Sequence, residues 1–240
     1  MNKIFSFIIA AMLLMPVTSK AQTDFSFRAD FVSSYMWRGV ATAGASIQPA
    51  MGLTAGGFSI GTWGSVEVAG FGYKEVDLAI GYSVGGFSIG LTDYWWDGEG
   101  AFNYFKFKED QHSHLLEVNL GYELESGLSF SWNTMVARTG DKYLDDSETK
   151  RAYSTYVEAG YSFDVKDVNL TASLGFNPWK SNVLYTDAYP YATDGLAVTN
   201  ISLTASKSIS ISDRFSLPVF SQLAFNPATE DVFLVFGISF

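Results

Sequence analysis

KEVDLAIGYSVGGFSIG, residues 74–90, is the stretch that decides how this chain folds. Val76, Leu78, Ile80, Tyr82 and Val84 alternate with Glu75, Asp77, Ala79, Gly81 and Ser83. A period of two puts the apolar set on one face of a strand, whereas a helix would scatter it around its circumference. The closing hexapeptide GGFSIG also occurs at Gly56–Gly61. Each copy ends one alternating run and opens the next. The repeat therefore reads as strand, turn, strand, with paired glycines where a tight hairpin needs positive φ.

Working outward, alternation predicts twelve strands, at 24–38, 45–55, 57–68, 73–84, 86–96, 112–124, 127–138, 150–163, 167–179, 196–208, 213–224 and 231–240. The cleanest set Leu116, Val118, Leu120, Tyr122 and Leu124 against Glu117, Asn119, Gly121 and Glu123. The fifth and tenth are least regular, because Asp93 and Lys207 interrupt their apolar faces. A soluble sandwich would show the same alternation. The connections discriminate. Every second one is short, as at Gly56, Gly85, Glu125-Ser126, Asp164–Lys166 and Asp213. The others are mostly longer, notably 97–111, 139–149 and 180–195. Short turns at one end and long loops at the other describe an up-and-down antiparallel transmembrane β-barrel, with the short turns and both termini periplasmic.

Export fits this reading. Lys3, an apolar run from Ile4 to Val17 and the small residues around Lys20 predict a signal peptide over 1–21, with the barrel occupying 22–240. The run is shorter than the roughly 20 residues a spanning helix needs. No cysteine is present, which excludes disulfides and a lipid-acylated leader. The formal net charge is −10, and two of the fifteen basic residues fall within the leader. A nucleic-acid partner is thus not expected. Phe25, Phe27, Tyr122, Phe163, Phe215 and Phe240 fall near short-turn ends, and Tyr35, Trp37, Trp95, Tyr153, Trp179 and Phe225 near long-loop ends. Two aromatic girdles are expected at the two membrane interfaces. The terminal Phe240 also has the look of a recognition signal for the barrel-assembly machinery.

If the apolar faces meet lipid, the opposite faces look inward. That assigns Arg28, Asp30, Gln48, Trp63, Glu67, Glu75, Asp77, Glu117, Asn119, Asn133, Tyr156, Glu158, Asn169, Asn200 and Gln222 to the lumen. Asp30, Asp77, Asn119, Glu158 and Asn169 are placed near mid-strand. One reading is a narrow pore for passive diffusion whose carboxylates favour cationic or hydroxyl-rich solutes. The other is a sealed structural or anchoring barrel in which Arg28 and Arg38 pair with Asp30, Glu117 or Glu158. Twelve strands lie between filled small barrels and open porins.

Other chemistry is weakly represented. An outer-membrane lipid hydrolase needs Ser and His together, but on a strand His112 and His114 share one face and Ser113 the other. Those histidines with Glu109 and Asp110 form a poor metal set, and no cofactor is expected. Asp141, Asp145, Asp146 and Glu148 make an acidic loop able to meet lipopolysaccharide through bridging ions, without the spacing of a calcium loop.

FVSSYMWRGVATAG (31–44), GTWGSVEV (61–68) and KEVDLAIGYSVGG (74–86) resemble the TorF-type family of bacterial outer-membrane barrels, which are described as porins. The resemblance rests on Tyr35, Arg38, Gly39, the run Gly61-Thr62-Trp63-Gly64-Ser65, and Glu75, Asp77, Gly81 and Tyr82. It implies an outer-membrane location in contact with lipid and lipopolysaccharide, and small-molecule solutes as cargo.

Overall fold

The computed structural model describes residues 23–69, 74–97, 104–105, 114–137, 151–181 and 193–240. The expected leader, His112, Ser113 and the acidic residues at 109–110 and 141–148 lie outside them. Every regular element among the described residues is a strand. In chain order these are β1 (Thr23–Val32), β2 (Tyr35–Trp37), β3 (Val40–Ala43), β4 (Ser46–Ala55), β5 (Phe58–Glu67), β6 (Lys74–Val84) and β7 (Phe87–Asp97). There follow β8 (His114–Glu123), β9 (Leu128–Ala137), β10 (Thr155–Val165), β11 (Val168–Asn177), β12 (Ala197–Ser212), β13 (Phe215–Asn226) and β14 (Asp231–Ser239).

Twelve of them form one closed antiparallel barrel in which each strand pairs with its chain neighbours, while β2 and β3 make a separate hairpin. The glycine turns behave as their sequence requires. Gly56 and Gly57 have φ of 57° and 88°, and Gly85 and Gly86 have 55° and 82°. Closure joins β1 to β14 through Asp30–Val32 against Gly237–Ser239. Ala29 and Phe240 add a reciprocal pair of backbone bonds, each 3.0 Å. The ring of Phe31 meets that of Phe240 edge-on at 5.8 Å on the outer face.

The exterior is apolar. Ile60, Leu78, Ile80, Leu120, Leu174, Ile201, Leu203, Leu223, Leu234 and Phe236 are all exposed on the outward faces. In water such a surface would drive aggregation; in lipid it is the required surface. Phe25, Phe27, Tyr122, Phe163, Phe215 and Phe240 are exposed at the short-turn end, and Trp132, Tyr153, Trp179 and Phe225 at the other. Trp132 and Trp179 lean together at 5.7 Å. At the fully exposed β10–β11 turn, a hydrogen bond from Lys207 (2.6 Å) holds the Asp167 carboxyl below its usual range.

The first expected strand is corrected. The run 24–38 does not continue straight. It leaves the wall at Ser33-Ser34, and Tyr35–Ala43 turns into the barrel as the β2–β3 hairpin. A transmembrane strand needs about 9–11 residues, so fifteen alternating residues exceed one crossing. Tyr35, Trp37 and Trp95 also leave the outer girdle, because all three are covered by protein: Tyr35 and Trp37 by the inner wall, Trp95 by Tyr104. The tenth strand runs to Ser212, beyond its expected end, because its ladder with β13 continues through Ile209–Leu217 to Ser212–Phe215, while Lys207 has Asp167 as a partner at the rim.

The lipid-facing assignment can be checked at Leu203, which pairs with Ala172 and Leu223. Leu203→Arg is expected to cost about 2–4 kcal/mol if the site lies near the bilayer midplane. Urea unfolding in lipid vesicles measures it.

Candidate functional site: the lumen and its inner hairpin

The hairpin starts where Ser33 leaves the wall. Its N–H still donates to Phe236 O (2.8 Å), and its hydroxyl accepts from Phe236 N–H (3.0 Å). Ser34 Oγ then donates to Ala43 O at 2.9 Å, closing the base. At the tip Arg38 and Gly39 both have positive φ, 52° and 82°. This is the geometry of a two-residue hairpin turn. A side chain at position 39 is also excluded, since a Cβ would lie 1.9 Å from the Thr199 carbonyl oxygen. Asn226 Nδ2 donates to Gly39 O at 3.2 Å. The hairpin thus crosses the interior from the β1–β4 side to β12 and β13.

Aromatic packing holds one side. Tyr35 tilts against Trp63 at 5.2 Å, and Trp37 meets Tyr94 and Trp96 edge-on at 6.0 and 5.6 Å. Each such pair contributes about 0.5–1.5 kcal/mol beyond its area. Leu115 and Met135 complete this cluster, fully buried. At the return of the hairpin, Glu67 Oε1 accepts the Gly44 N–H at 2.9 Å. Gln48 reaches Ser65 below it, at 3.4 Å.

The centre of the site is Arg38. Its Nη2 donates to Glu117 Oε2 at 2.8 Å, and Nη1 lies 2.8 Å from Oε1. The guanidinium sits over the rings of Trp37 and Tyr156, at 4.3 and 4.8 Å from their centroids. Glu117 is fully buried, and its Oε2 also accepts from Tyr94 (2.8 Å) and Asn119 (2.7 Å). Such donors are what a carboxylate needs to stay charged away from water. The network continues around the wall. Asn119 bonds Thr92 and Asn133; Tyr156 donates to Glu158; and Asn200 reaches both Tyr156 and Glu158. Tyr156 lies across Gly175, where any side chain would collide with its ring.

The structure therefore brings Trp63, Glu67, Glu117, Asn119, Asn133, Tyr156, Glu158 and Asn200 around or below the hairpin. Asp77 and Glu75 are buried on the β6 wall, and Asp77 Oδ1 has no hydrogen-bond partner. Asp30 stands at the seam, paired with Arg28 at 3.2 Å and accepting from Ser239 at 2.6 Å. Gln222 bonds Thr204 at 3.1 Å. One position is corrected. Asn169 is not at mid-strand but exposed at the short-turn rim, donating to Asp164 at 2.9 Å.

His114 also departs from the chemistry weighed for it. It faces outward beside Trp95, fully buried. Its Nδ1 meets Asp93 Oδ2 at 2.9 Å, its Nε2 donates to the Tyr104 carbonyl at 2.7 Å, and Tyr104 OH donates to the same Asp93 oxygen. With both ring nitrogens engaged, it ties a loop to the outer wall and leaves none for activating a hydroxyl.

Sequence reading missed the hairpin and the cavity beside its tip, lined by Asn177, Thr199, Asn226 and Thr229 among others. The excess length of 24–38 and the Arg38-Gly39 dipeptide were the available signals. Nothing local marks Thr199.

The fold and site define a transmembrane β-barrel with an internal hairpin. The chain belongs to the Gcw_chp family, described as bacterial proteins of unknown function, whose model matches residues 17–212. No curated protein matches it. Two solved structures show a distant likeness. An outer membrane channel from Pseudomonas putida F1 is 13% identical with a TM-score of 0.45, covering 94% of this chain and 98% of its own. BamA from Haemophilus ducreyi lacking POTRA domains 1–3 is 11% identical with a TM-score of 0.37, covering 85% of this chain and 41% of its own. Neither is close enough to carry function.

Removing one member of a buried ion pair strands the other. Glu117→Ala is expected to cost about 3–5 kcal/mol, and adding Arg38→Met should recover much of it. Chemical unfolding of the two single variants and the double variant measures the coupling.

Proposed function

We propose that the protein is an outer-membrane channel for passive diffusion of small polar solutes, narrowed in its outer half by the inner hairpin. The observation that carries this reading is a gradient of exposure inside the barrel. At the hairpin, Leu115, Glu117 and Met135 are fully buried. Toward the short turns, inward residues such as Ser88, Gly121, Ser129, Ser162 and Thr171 are small and remain partly exposed. An interior lined by small hydroxyls and not filled by them leaves room for water. The resemblance to TorF-type barrels supports the same reading.

On this reading the short-turn end and both termini are periplasmic, residues 1–21 direct export, and Phe240 engages the assembly machinery. The long loops meet lipopolysaccharide. Arg28 and Arg38 neutralise Asp30 and Glu117, so cation preference rests on the remaining inward carboxylates, Asp77 and Glu158 among them. A sealed barrel is the second reading, favoured by those same two pairs, which were the ones expected to block a lumen.

Planar-bilayer recording separates the two. Replacing residues 35–43 by a short Gly-Ser link should raise unit conductance severalfold while the protein still migrates faster unheated than boiled. Asp77→Asn with Glu158→Gln should lower the cation preference read from reversal potentials at low salt, where screening is weakest. Absence of conductance from both wild-type and hairpin-replaced protein would establish the sealed barrel instead.

A further inference from the structure

The cavity between the hairpin tip and the β10–β13 wall holds about 350 Å³, within the range of small-molecule sites. A defect in the sheet creates its inner wall. Gly175 pairs with Asn200 and Phe176 with Val198, so Thr199 has no partner on β11. This bulge turns two consecutive side chains, Thr199 and Asn200, to the buried side, each 7% exposed. In a regular strand one of them would face lipid.

The bulge brings in a hydroxyl that the protein does not use. Thr199 Oγ1 is buried without a hydrogen-bond partner, and so is Thr229 Oγ1; both residues line the cavity. Buried polar atoms are almost always bonded, and two exceptions on residues that line one space point to a ligand toward which their hydroxyls can turn. The charge balance restricts its chemistry. Arg38 lines the cavity, but both its terminal nitrogens are on Glu117. Asp194, at the rim, pairs with Lys180 at 3.4 Å. The remaining polar groups, including Asn177 and Asn226, are neutral amides and hydroxyls that donate and accept. Among the described residues that line it, an ionic ligand would find no free counter-charge.

We propose that this cavity binds a neutral, hydroxyl-rich molecule of monosaccharide size. The proposal deepens the channel reading, on which it rests, by naming the solute class taken up at the outer mouth.

Titration calorimetry with D-glucose tests it, using the whole protein in an amine-oxide detergent, since a glucoside or maltoside would compete. Gluconate and glucosamine serve as the anionic and cationic controls. Glucose should bind and the charged analogues bind more weakly. Thr199→Val should weaken glucose binding about fivefold, the value of one hydrogen bond. Thr199→Ser, which keeps the hydroxyl, should bind as wild type. Unheated gel migration verifies that both variants are folded. No glucose binding, tighter binding of either charged analogue, or unchanged binding by Thr199→Val would each overturn the site. Vesicle swelling in glucose separates the two readings. Binding without passage would leave the site standing and defeat the channel, whereas passage without binding would do the reverse.

Discussion

A backbone crossing a bilayer has no water to bond, so each N–H and C=O in the hydrocarbon must find a partner within the protein. Everything else in this fold depends on that constraint. It forces the sheet to close, and closure falls on β1, the strand that must pair with β4 along its whole length and with β14 over Asp30–Val32. The same strand then feeds the hairpin. At Ser33 the chain keeps a backbone bond to Phe236 and supplies its side-chain hydroxyl as the second partner, so the ladder remains satisfied while the chain departs. The wall and the plug are thus one continuous segment.

Inside the barrel the balance of forces differs from that outside. The exterior needs only apolar area. The interior has to hold charge, and it does so by pairing. Arg38 and Glu117 are separated by 79 residues in sequence and meet through two contacts of 2.8 Å. The desolvation cost of such a pair is offset only when the other lone pairs are also satisfied, and Tyr94 and Asn119 do this for Glu117. The arrangement gives the hairpin one favoured seat. It also removes two of the charges that would otherwise set the field in a pore.

The outer wall shows how similar residue types serve a different purpose. His114, Asp93 and Tyr104 form a closed hydrogen-bonded set on the outward side of the wall. Asp93 appears in sequence as a flaw in an apolar face. In the fold it is a partner for a histidine and a tyrosine that cover Trp95. Lys207, the other apparent flaw, meets Asp167 at the short-turn rim.

Strand identity, the glycine turns, the alternation of short and long connections and the outward apolar face were all legible in the sequence. Each depends on neighbours within a few residues, or on a period of two that a strand imposes on its own side chains. The face on which Glu117, Asn119 and Glu158 lie was legible for the same reason. The path of residues 33–44 was not. An alternating run continues equally well in the wall or folded inward, and the choice follows from Trp63, Tyr94, Trp96 and Glu117, which lie on other strands. The bulge at Thr199 was hidden likewise, since it arises from the register between β11 and β12 and not from any residue type. Local periodicity determined that this chain is a barrel, while what occupies its interior was decided by contacts between strands far apart in sequence, because only closure brings them within reach.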